Sequence, residues 1–200
     1  ATGVTLPTDV GVAEISTEGD PIHELFINVA GFGANGEIVR RSNKSSKKLG
    51  GRLTFIGATV ATLASYKPSA VRVTMQNGST TEVWEDELVS AFVANGLYCG
   101  GGMWVGPEGS MQDGQFEISL LKTTSALRQA IDFRHLYDGR IGQAAGVSAF
   151  KCTSLKAEPV DGQRVSAELD GETKGFLPAT YEVKKKGLNV RGGWLHANDK

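Results

Sequence analysis

Three consecutive glycines, a proline and an Asp-Gly pair mark residues 99–117 as the segment of this chain best suited to chemistry (CGGGMWVGPEGSMQDGQFE). The glycines at 100–102 can adopt backbone conformations that other residues avoid, and they let another group approach the main chain closely. Pro107 and Asp113-Gly114 divide the remainder into turns. Neither a strand nor a helix needs such a series, so we predict a loop that accommodates a ligand.

A second candidate is the Asp-Gly-Glu run at residues 170–172. A carboxylate beside a tight turn is suited to accepting a proton from a reacting hydroxyl group. The same residues also form an ordinary hairpin turn ahead of a strand. The residue types alone favour the hairpin turn, and only the wider pattern described below gives Glu172 a chemical role.

The composition predicts one β-rich domain. The chain has 200 residues, of which 40% are hydrophobic and 22% are charged, close to the average for globular domains. Its 26 glycines are about twice the usual share and indicate many turns and bulges. We therefore expect a mainly β fold, a single β-sandwich domain over residues 1–191 with two or three flanking helices, followed by a tail at 192–200.

Charge and cysteine content limit the partners and the compartment. The formal net charge is −1 and no basic stripe is interleaved with aromatic residues, which argues against nucleic acid as a partner. Basic clusters at residues 40–48 and 184–186 could face an anionic membrane surface transiently, although such clusters are more often solvated faces. The two cysteines favour a reducing compartment. We predict a cytoplasmic protein that reaches a membrane only peripherally.

Hydrophobic spacing predicts the elements that position these residues. Asn77-Gly78 predicts a tight hairpin, and the apolar run at 88–94 predicts a central strand that leads to Asn95 and the glycines. Helices are predicted at residues 53–63 and 124–131. The return strand of the hairpin is predicted to begin at residue 83. The other strands are predicted at residues 10–15, 25–29, 71–75, 88–94, 116–120, 147–157, 163–169 and 179–190.

Three segments in order, at residues 25–41, 91–122 and 167–175, resemble the diacylglycerol kinase catalytic family (LFINVAGFGANGEIVRR, AFVANGLYCGGGMWVGPEGSMQDGQFEISLLK and AELDGETKG). That family includes bacterial lipid kinases and the sphingosine and ceramide kinases. Its C-terminal β-sandwich domain carries an Asn ahead of a Gly-Gly-Gly stretch, a Pro, an Asp-Gly and a late Asp-Gly-Glu. The resemblance covers about residues 9–190 and implies the C-terminal domain of the NAD kinase/diacylglycerol kinase-like fold.

The resemblance implies a role for each motif. Glu172 corresponds to the glutamate that takes the proton from the lipid hydroxyl while the γ-phosphate of ATP is transferred. Positioning and charge stabilisation dominate phosphoryl transfer, so a carboxylate that orients the hydroxyl suits this role. The residues implied to line the cleft for substrate and phosphates are Asn95, Gly100, Gly101, Gly102 and Asp170.

The resemblance also implies a structural Mg²⁺, in addition to the Mg²⁺ that accompanies ATP. Asp113 would supply the carboxylate, and the main-chain carbonyls of Ser110 and Gln115 would complete the protein ligands. A hard cation is satisfied by such an oxygen set together with water. The family has apolar residues where this chain has Ser110 and Gln115. A turn aspartate without an ion explains Asp113 equally well.

The resemblance also indicates a missing partner. Family members hold the nucleotide phosphates on a Gly-Gly-Asp-Gly-Thr loop in an N-terminal domain, and that motif does not occur in this sequence. We expect ATP to bind mainly to that domain and the isolated chain to be inactive. Two alternatives stay open: a non-catalytic lipid-binding or regulatory β-sandwich, and an NAD-kinase-like domain. A homodimer formed through exposed edge strands also stays open.

Overall fold

Twelve strands and one α-helix form the part of the chain that the computed structural model describes, which is residues 4–44, 59, 62, 65–125, 128 and 133–192. The strands are β1 (Val4–Ser16), β2 (Ile22–Phe26), β3 (Val29–Gly33), β4 (Ser69–Asn77), β5 (Thr80–Ala94), β6 (Tyr98–Cys99), β7 (Met103–Trp104), β8 (Phe116–Lys122), β9 (Val147–Cys152), β10 (Ser154–Pro159), β11 (Ser166–Leu169) and β12 (Glu172–Gly192). The helix is α1 (Ala34–Lys44), and two short 3-10 helices lie at Phe133–Leu136 and Ile141–Gln143.

The hairpin of β4 and β5 follows directly from local sequence. Val71, Val73 and Met75 alternate on the buried face of β4. The predicted hairpin is confirmed, but its turn lies one residue later than the Asn77-Gly78 pair: Asn77 pairs with Thr80, and the two turn residues are Gly78, with a φ of 60°, and Ser79. The sequence predicted a return strand and a separate strand at 88–94, whereas the structure has one continuous strand whose last seven residues are buried. This strand delivers the chain to the glycine segment.

The main sheet closes on itself. Its strand order is β10-β4-β5-β3-β11-β12-β1-β2, and β10 also pairs with β12, so the first six strands form a ring. Strand β8 branches from β5 and carries β9, while β6 and β7 form a separate two-stranded hairpin. The strands of the ring and its branch therefore surround a common interior, as expected for a β-sandwich or barrel-like domain.

Aromatic packing fills this interior. Phe26 stacks on Phe116 at a centroid distance of 5.5 Å and meets Tyr181 edge-on at 6.2 Å, and Phe32 stacks on Tyr181 at 6.2 Å. All four rings are buried. Burial of each such side chain contributes roughly 1.5–3 kcal/mol. The rings bring β2, β3, β8 and β12 together, and of these β3 and β8 also line the candidate site.

Helix α1 follows β3 at Gly33, where a φ of 87° turns the chain out of the strand. Glu37, in its first turn, pairs with Arg40 at 2.6 Å and with Arg41 at 2.8 Å. The hydrogen bond from Arg40 is the largest cause that lowers the pKa of Glu37 to about 2. The sequence analysis did not predict this helix, and it treated these arginines as part of a basic cluster.

Several other predictions differ from the structure in extent. The strand predicted at 179–190 is the second part of β12, and the one predicted at 147–157 is divided into β9 and β10. The helices predicted at 53–63 and 124–131 fall almost entirely outside the described residues. No helix in the described parts of the chain is long and apolar enough to cross a membrane.

Candidate functional site

A mainly apolar cavity of about 170 Å³ lies on one side of the sheet. Its apolar wall comes from helix α1, strands β5 and β8, the hairpin of β6 and β7, and the 3-10 helix at Phe133–Leu136. The side chains in that wall include Ile38, Val39, Phe92, Met103, Leu121 and Leu136. A cavity of 150 Å³ with similar walls can hold a benzene-sized molecule, so this one has room for a short apolar segment.

Several of the polar groups that line the cavity lie close together. Glu168 on β11 and the turn residues Asp170 and Gly171 line it there. Asn35 lies nearby, where its Nδ2 donates to the carbonyl of Ala91 at 2.7 Å and its Oδ1 accepts from Ser90 Oγ at 2.6 Å. These two bonds hold the Asn35 amide in one orientation. A Cβ placed on Gly31 would lie 2.7 Å from Asn35 Nδ2 and 2.9 Å from Glu168 Oε1, so the two side chains lie close together. We call the part of the cavity that these polar groups line its polar end.

The Asp170 carboxylate ties the turn between β11 and β12 to another part of the chain. It accepts hydrogen bonds from the backbone N–H groups of Ile27 at 2.7 Å, Asn28 at 2.9 Å and Val29 at 3.0 Å. Asp170 has a φ of 46°, a conformation that Asp tolerates better than most residues. The turn is therefore fixed against the connection between β2 and β3, at the edge of the cavity.

Glu168 is a buried carboxyl group in the polar end of the cavity. Its Oε2 accepts from the N–H of Gly171 at 2.9 Å, and a Cβ placed on Gly31 would lie 2.9 Å from its Oε1. Burial raises the pKa of Glu168 to about 8, the Gly171 hydrogen bond opposes the shift, and the charge of Asp170 adds to it. The carboxyl group is therefore mainly protonated at neutral pH.

Glu172, the predicted base, follows this turn but points to solvent. Its side chain is 73% exposed and pairs with Lys174 at 2.9 Å. Lys174 also pairs with Glu24 at 2.7 Å. Glu172 follows the cavity-lining Gly171 directly in sequence. The Glu172 carboxylate is accessible to a molecule or domain that approaches from solvent.

The three glycines form the turn of the hairpin between β6 and β7, which we call the glycine hairpin (residues 98–104). Their φ angles of 34°, 78° and 92° lie in the left-handed region, which explains the need for glycine there. Gly100 lines the cavity, whereas Gly101 and Gly102 are exposed. The Cys99 thiol also lines the cavity, and burial, followed by the charge of Glu168, raises its pKa to about 12.

Asn95 directly follows strand β5 and is not among the residues that line the cavity. It is fully buried, and its Nδ2 donates to the carbonyls of Asp9 at 2.9 Å and Ile27 at 2.6 Å. The predicted cleft residues are therefore not all in one place. Gly100 and Asp170 line the cavity, and Gly101 and Gly102 lie at the exposed turn. Asn95 is buried outside the cavity lining.

The Asp113 loop is held by a different carboxylate. Asp9 is buried, and its two oxygens accept from the N–H groups of Gly114 and Lys186, each at 2.7 Å. The N–H of Asp9 donates to the carbonyl of Met111 at 2.7 Å. The sequence analysis did not single out Asp9, which lies at a register shift between β1 and β12.

The oxygen atoms around Asp113 fit the predicted cation in their chemistry. Asp113 is exposed, and its Oδ1 accepts from the N–H of Gln115 at 3.0 Å. The carbonyl of Ser110 faces the same turn, because it accepts from the N–H of Asp113 at 3.4 Å. No group of three or more acidic, His or Cys side chains that could hold a metal ion occurs among the described residues, so a cation here would depend on one carboxylate, carbonyls and water.

The sequence analysis missed Glu168 and Asn35. Both are polar residues at positions where alternation or a helix start predicts exposure. The signal for Glu168 was its place two residues before Asp170, on a strand between buried Ala167 and Leu169. A carboxylate so close to a candidate turn, within a short apolar strand, merited inclusion in the site.

Comparison with known proteins identifies the family. Residues 28–192 match the model of the YegS C-terminal NAD kinase beta sandwich-like domain, and the chain belongs to that family. It is 23% identical over 185 residues to a diacylglycerol kinase of Bacillus subtilis (strain 168), a match that covers 90% of this chain and 54% of the relative. The chain therefore spans about half the length of the curated relative that it matches.

Solved structures from Bacillus anthracis str. Sterne share the fold. A diacylglycerol kinase superposes with a TM-score of 0.58 at 19% identity, covering 93% of this chain and 53% of the other. A protein proposed to be a diacylglycerol kinase superposes with a TM-score of 0.63 at 24% identity, covering 93% and 56%. These superpositions confirm the predicted β-sandwich. The family match and the curated relative confirm the predicted resemblance to the C-terminal part of the kinase family.

Proposed function

We propose that this chain is the substrate-side domain of an ATP-dependent lipid kinase, which transfers the γ-phosphate of ATP to a lipid hydroxyl. The observation that carries the proposal is the apolar cavity whose polar end is formed by Glu168 and the Asp170-Gly171 turn, one residue before Glu172. An apolar wall with a few polar groups at one end suits a lipid better than a dinucleotide. The name of the curated relative, diacylglycerol kinase, supports the same substrate class.

Glu172 acts as the general base in this proposal. The lipid hydroxyl oxygen attacks the γ-phosphorus, the bond from that phosphorus to the ADP oxygen breaks, and the hydroxyl proton passes to the Glu172 carboxylate. The exposure of Glu172 leaves it accessible to a nucleotide-binding domain. Lys174 keeps its second partner, Glu24, when Glu172 becomes neutral.

The Asp113 loop supplies support and not chemistry. Asp113, with the carbonyls of Ser110 and Gln115, would hold a structural Mg²⁺, whose charge would order this loop when bound. The loop follows the glycine hairpin directly in sequence.

The test requires a protein that contains both this chain and a nucleotide-binding domain. The Glu172→Gln variant should phosphorylate dioctanoylglycerol or sphingosine roughly 10²–10⁴-fold more slowly, because removal of a general base has effects of that size. Transfer of ³²P from ATP to lipid gives the rate. An undiminished rate in Glu172→Gln would rule out the assigned base.

Glu24→Gln is the matched control, because it removes the other carboxylate that pairs with Lys174. It should leave the transfer rate within about twofold, as expected for loss of one exposed ion pair. Phosphorylation of NAD and not of lipids would favour the NAD-kinase-like alternative. Lipid binding without any transfer would favour the non-catalytic module.

A further inference from the structure

The two carboxyl groups that line the cavity are bonded differently. Asp170 uses both oxygens to accept three backbone N–H groups, so its role is to hold the chain. Glu168 accepts one backbone N–H, from Gly171, through Oε2. It is also buried, whereas Asp170 is exposed. Glu168 is therefore the carboxyl group of this pair with capacity to bond a molecule in the cavity.

The surroundings of Glu168 keep it uncharged at neutral pH. Burial raises its pKa to about 8. Among the residues that the structure describes, the titratable groups coupled to it are Asp170 at the turn, Cys99 on the glycine hairpin and Tyr181 on β12. Burial raises the pKa values of Cys99 and Tyr181, so Asp170 supplies the only negative charge among these three neighbours. A protonated carboxyl group has one O–H donor.

The shape of the cavity indicates what this donor meets. Its volume of about 170 Å³ suits an apolar segment of roughly six to eight carbons, judged from the benzene-sized ligand of a slightly smaller cavity. Such a segment among Phe92, Met103 and Leu121 would bring the polar end of the same molecule toward Glu168. A negatively charged group there would lie near the Asp170 carboxylate, whereas an uncharged oxygen would accept a hydrogen bond.

We propose that Glu168 donates a hydrogen bond to an uncharged oxygen of the lipid, an ester carbonyl or a hydroxyl, and that the cavity thereby favours uncharged glycerides over anionic fatty acids. This inference rests on the proposed function for its substrate class and adds a residue that the catalytic role of Glu172 does not include. It predicts that lipid binding weakens when Glu168 loses its proton.

The experiment measures binding of 1-octanoylglycerol and of octanoate to the 200-residue chain by isothermal titration calorimetry at pH 7 and pH 9. With a pKa of about 8, Glu168 is about 90% protonated at pH 7 and about 10% at pH 9. The dissociation constant of 1-octanoylglycerol should therefore rise about tenfold between these pH values. Octanoate should bind at least about tenfold more weakly than the glyceride at pH 7.

Variants assign the pH effect to one residue. Glu168→Gln keeps an uncharged donor and an oxygen for the Gly171 N–H, so it should bind the glyceride within about threefold of the parent chain at both pH values. Glu168→Leu should bind about tenfold more weakly at pH 7. Glu182→Gln, an exposed change on β12, should keep the parent pH dependence. Circular dichroism melting curves establish that each variant is folded.

Three results would overturn the inference: an unchanged pH dependence in Glu168→Gln, equal affinity for octanoate and the glyceride at pH 7, or no glyceride binding at either pH. None of them decides the proposed function, because that function is tested by phosphate transfer in a protein that combines the chain with a nucleotide-binding domain. Loss of transfer in Glu172→Gln with pH-dependent glyceride binding in the isolated chain would support both proposals separately.

Discussion

Two Asp-Gly turns in this chain look alike in sequence and have opposite roles in the structure. At Asp170-Gly171 the carboxylate accepts three backbone N–H groups from residues 27–29. At Asp113-Gly114 the carboxylate is exposed and accepts one hydrogen bond, from the N–H of Gln115. Both glycines have positive φ angles, 84° and 75°. The backbone requirement is thus shared, and the difference lies in what each aspartate holds.

The comparison shows how a turn contributes to a site. The Asp170 turn holds the β2–β3 connection in place and lines the cavity itself. The Asp113 turn is held by the buried Asp9, which bonds the N–H of Gly114. The Asp170 carboxylate thus orders the region that we propose binds lipid. The Asp113 turn is instead held by the Asp9 carboxylate, and the Asp113 carboxylate stays exposed to solvent.

The largest difference should appear when each aspartate is removed. Asp170→Ala deletes three charge-assisted hydrogen bonds and should lower the free energy of unfolding by about 3 kcal/mol. Asp113→Ala deletes one exposed bond and should lower it by about 0.5 kcal/mol. Urea unfolding followed by tryptophan fluorescence measures both. Equal losses would contradict the distinction between the two turns.

Asp9→Asn tests whether the Asp9 carboxylate holds the Asp113-Gly114 turn in place. Asn has one acceptor oxygen, so either Gly114 or Lys186 would lose its hydrogen bond inside a buried site. We expect a loss of about 2 kcal/mol in the free energy of unfolding, well above the effect of Asp113→Ala. A loss no greater than that of Asp113→Ala would show that Asp9 does not anchor the loop.

The pH dependence of stability tests Glu168, the buried carboxyl group that bonds the Asp170-Gly171 turn. The pKa of Glu168, which bonds Gly171, rises from 4.5 to about 8 on folding. Stability from this group is therefore fully present below about pH 4.5 and is lost as the pH rises toward 8, by up to about 1.4 kcal/mol per pH unit. Urea unfolding at pH 5, 6, 7 and 8 measures the slope.

Glu168→Gln should make that slope shallower. Burial also raises the pKa of Glu117, so Glu117→Gln is the matched control for the remaining slope, which has the same sign. If Glu168→Gln had the slope of the parent chain, Glu168 would not be a protonated group in the native state.

Local signals made much of the fold predictable. Asn77-Gly78 and the alternation on either side specified the β4–β5 hairpin, since two-residue turns depend on neighbouring residues alone. Strand β12 was harder to predict, because Gly175 and Pro178 within it are typical of strand ends. Helix α1 was missed for a similar reason, because its first turn contains Gly36.

The site was predictable only in part. The motifs located Gly100 and Asp170, which line the cavity. They did not indicate Glu168, because alternation along β11 places it opposite buried Ala167 and Leu169, on a face expected to meet water. That face is buried because elements distant in sequence, including α1 and the glycine hairpin, enclose the cavity. Burial of this kind depends on tertiary contacts that a local pattern does not contain.

The most direct test of the central claim, that the cavity beside the Asp170-Gly171 turn receives a lipid, is a crystal structure of the chain with 1-octanoylglycerol at pH 7. The acyl chain should lie among Phe92, Met103 and Leu121, with a glyceride oxygen within about 3.2 Å of the Glu168 carboxyl group. A glyceride bound elsewhere on the molecule, with this cavity unoccupied, would contradict the claim.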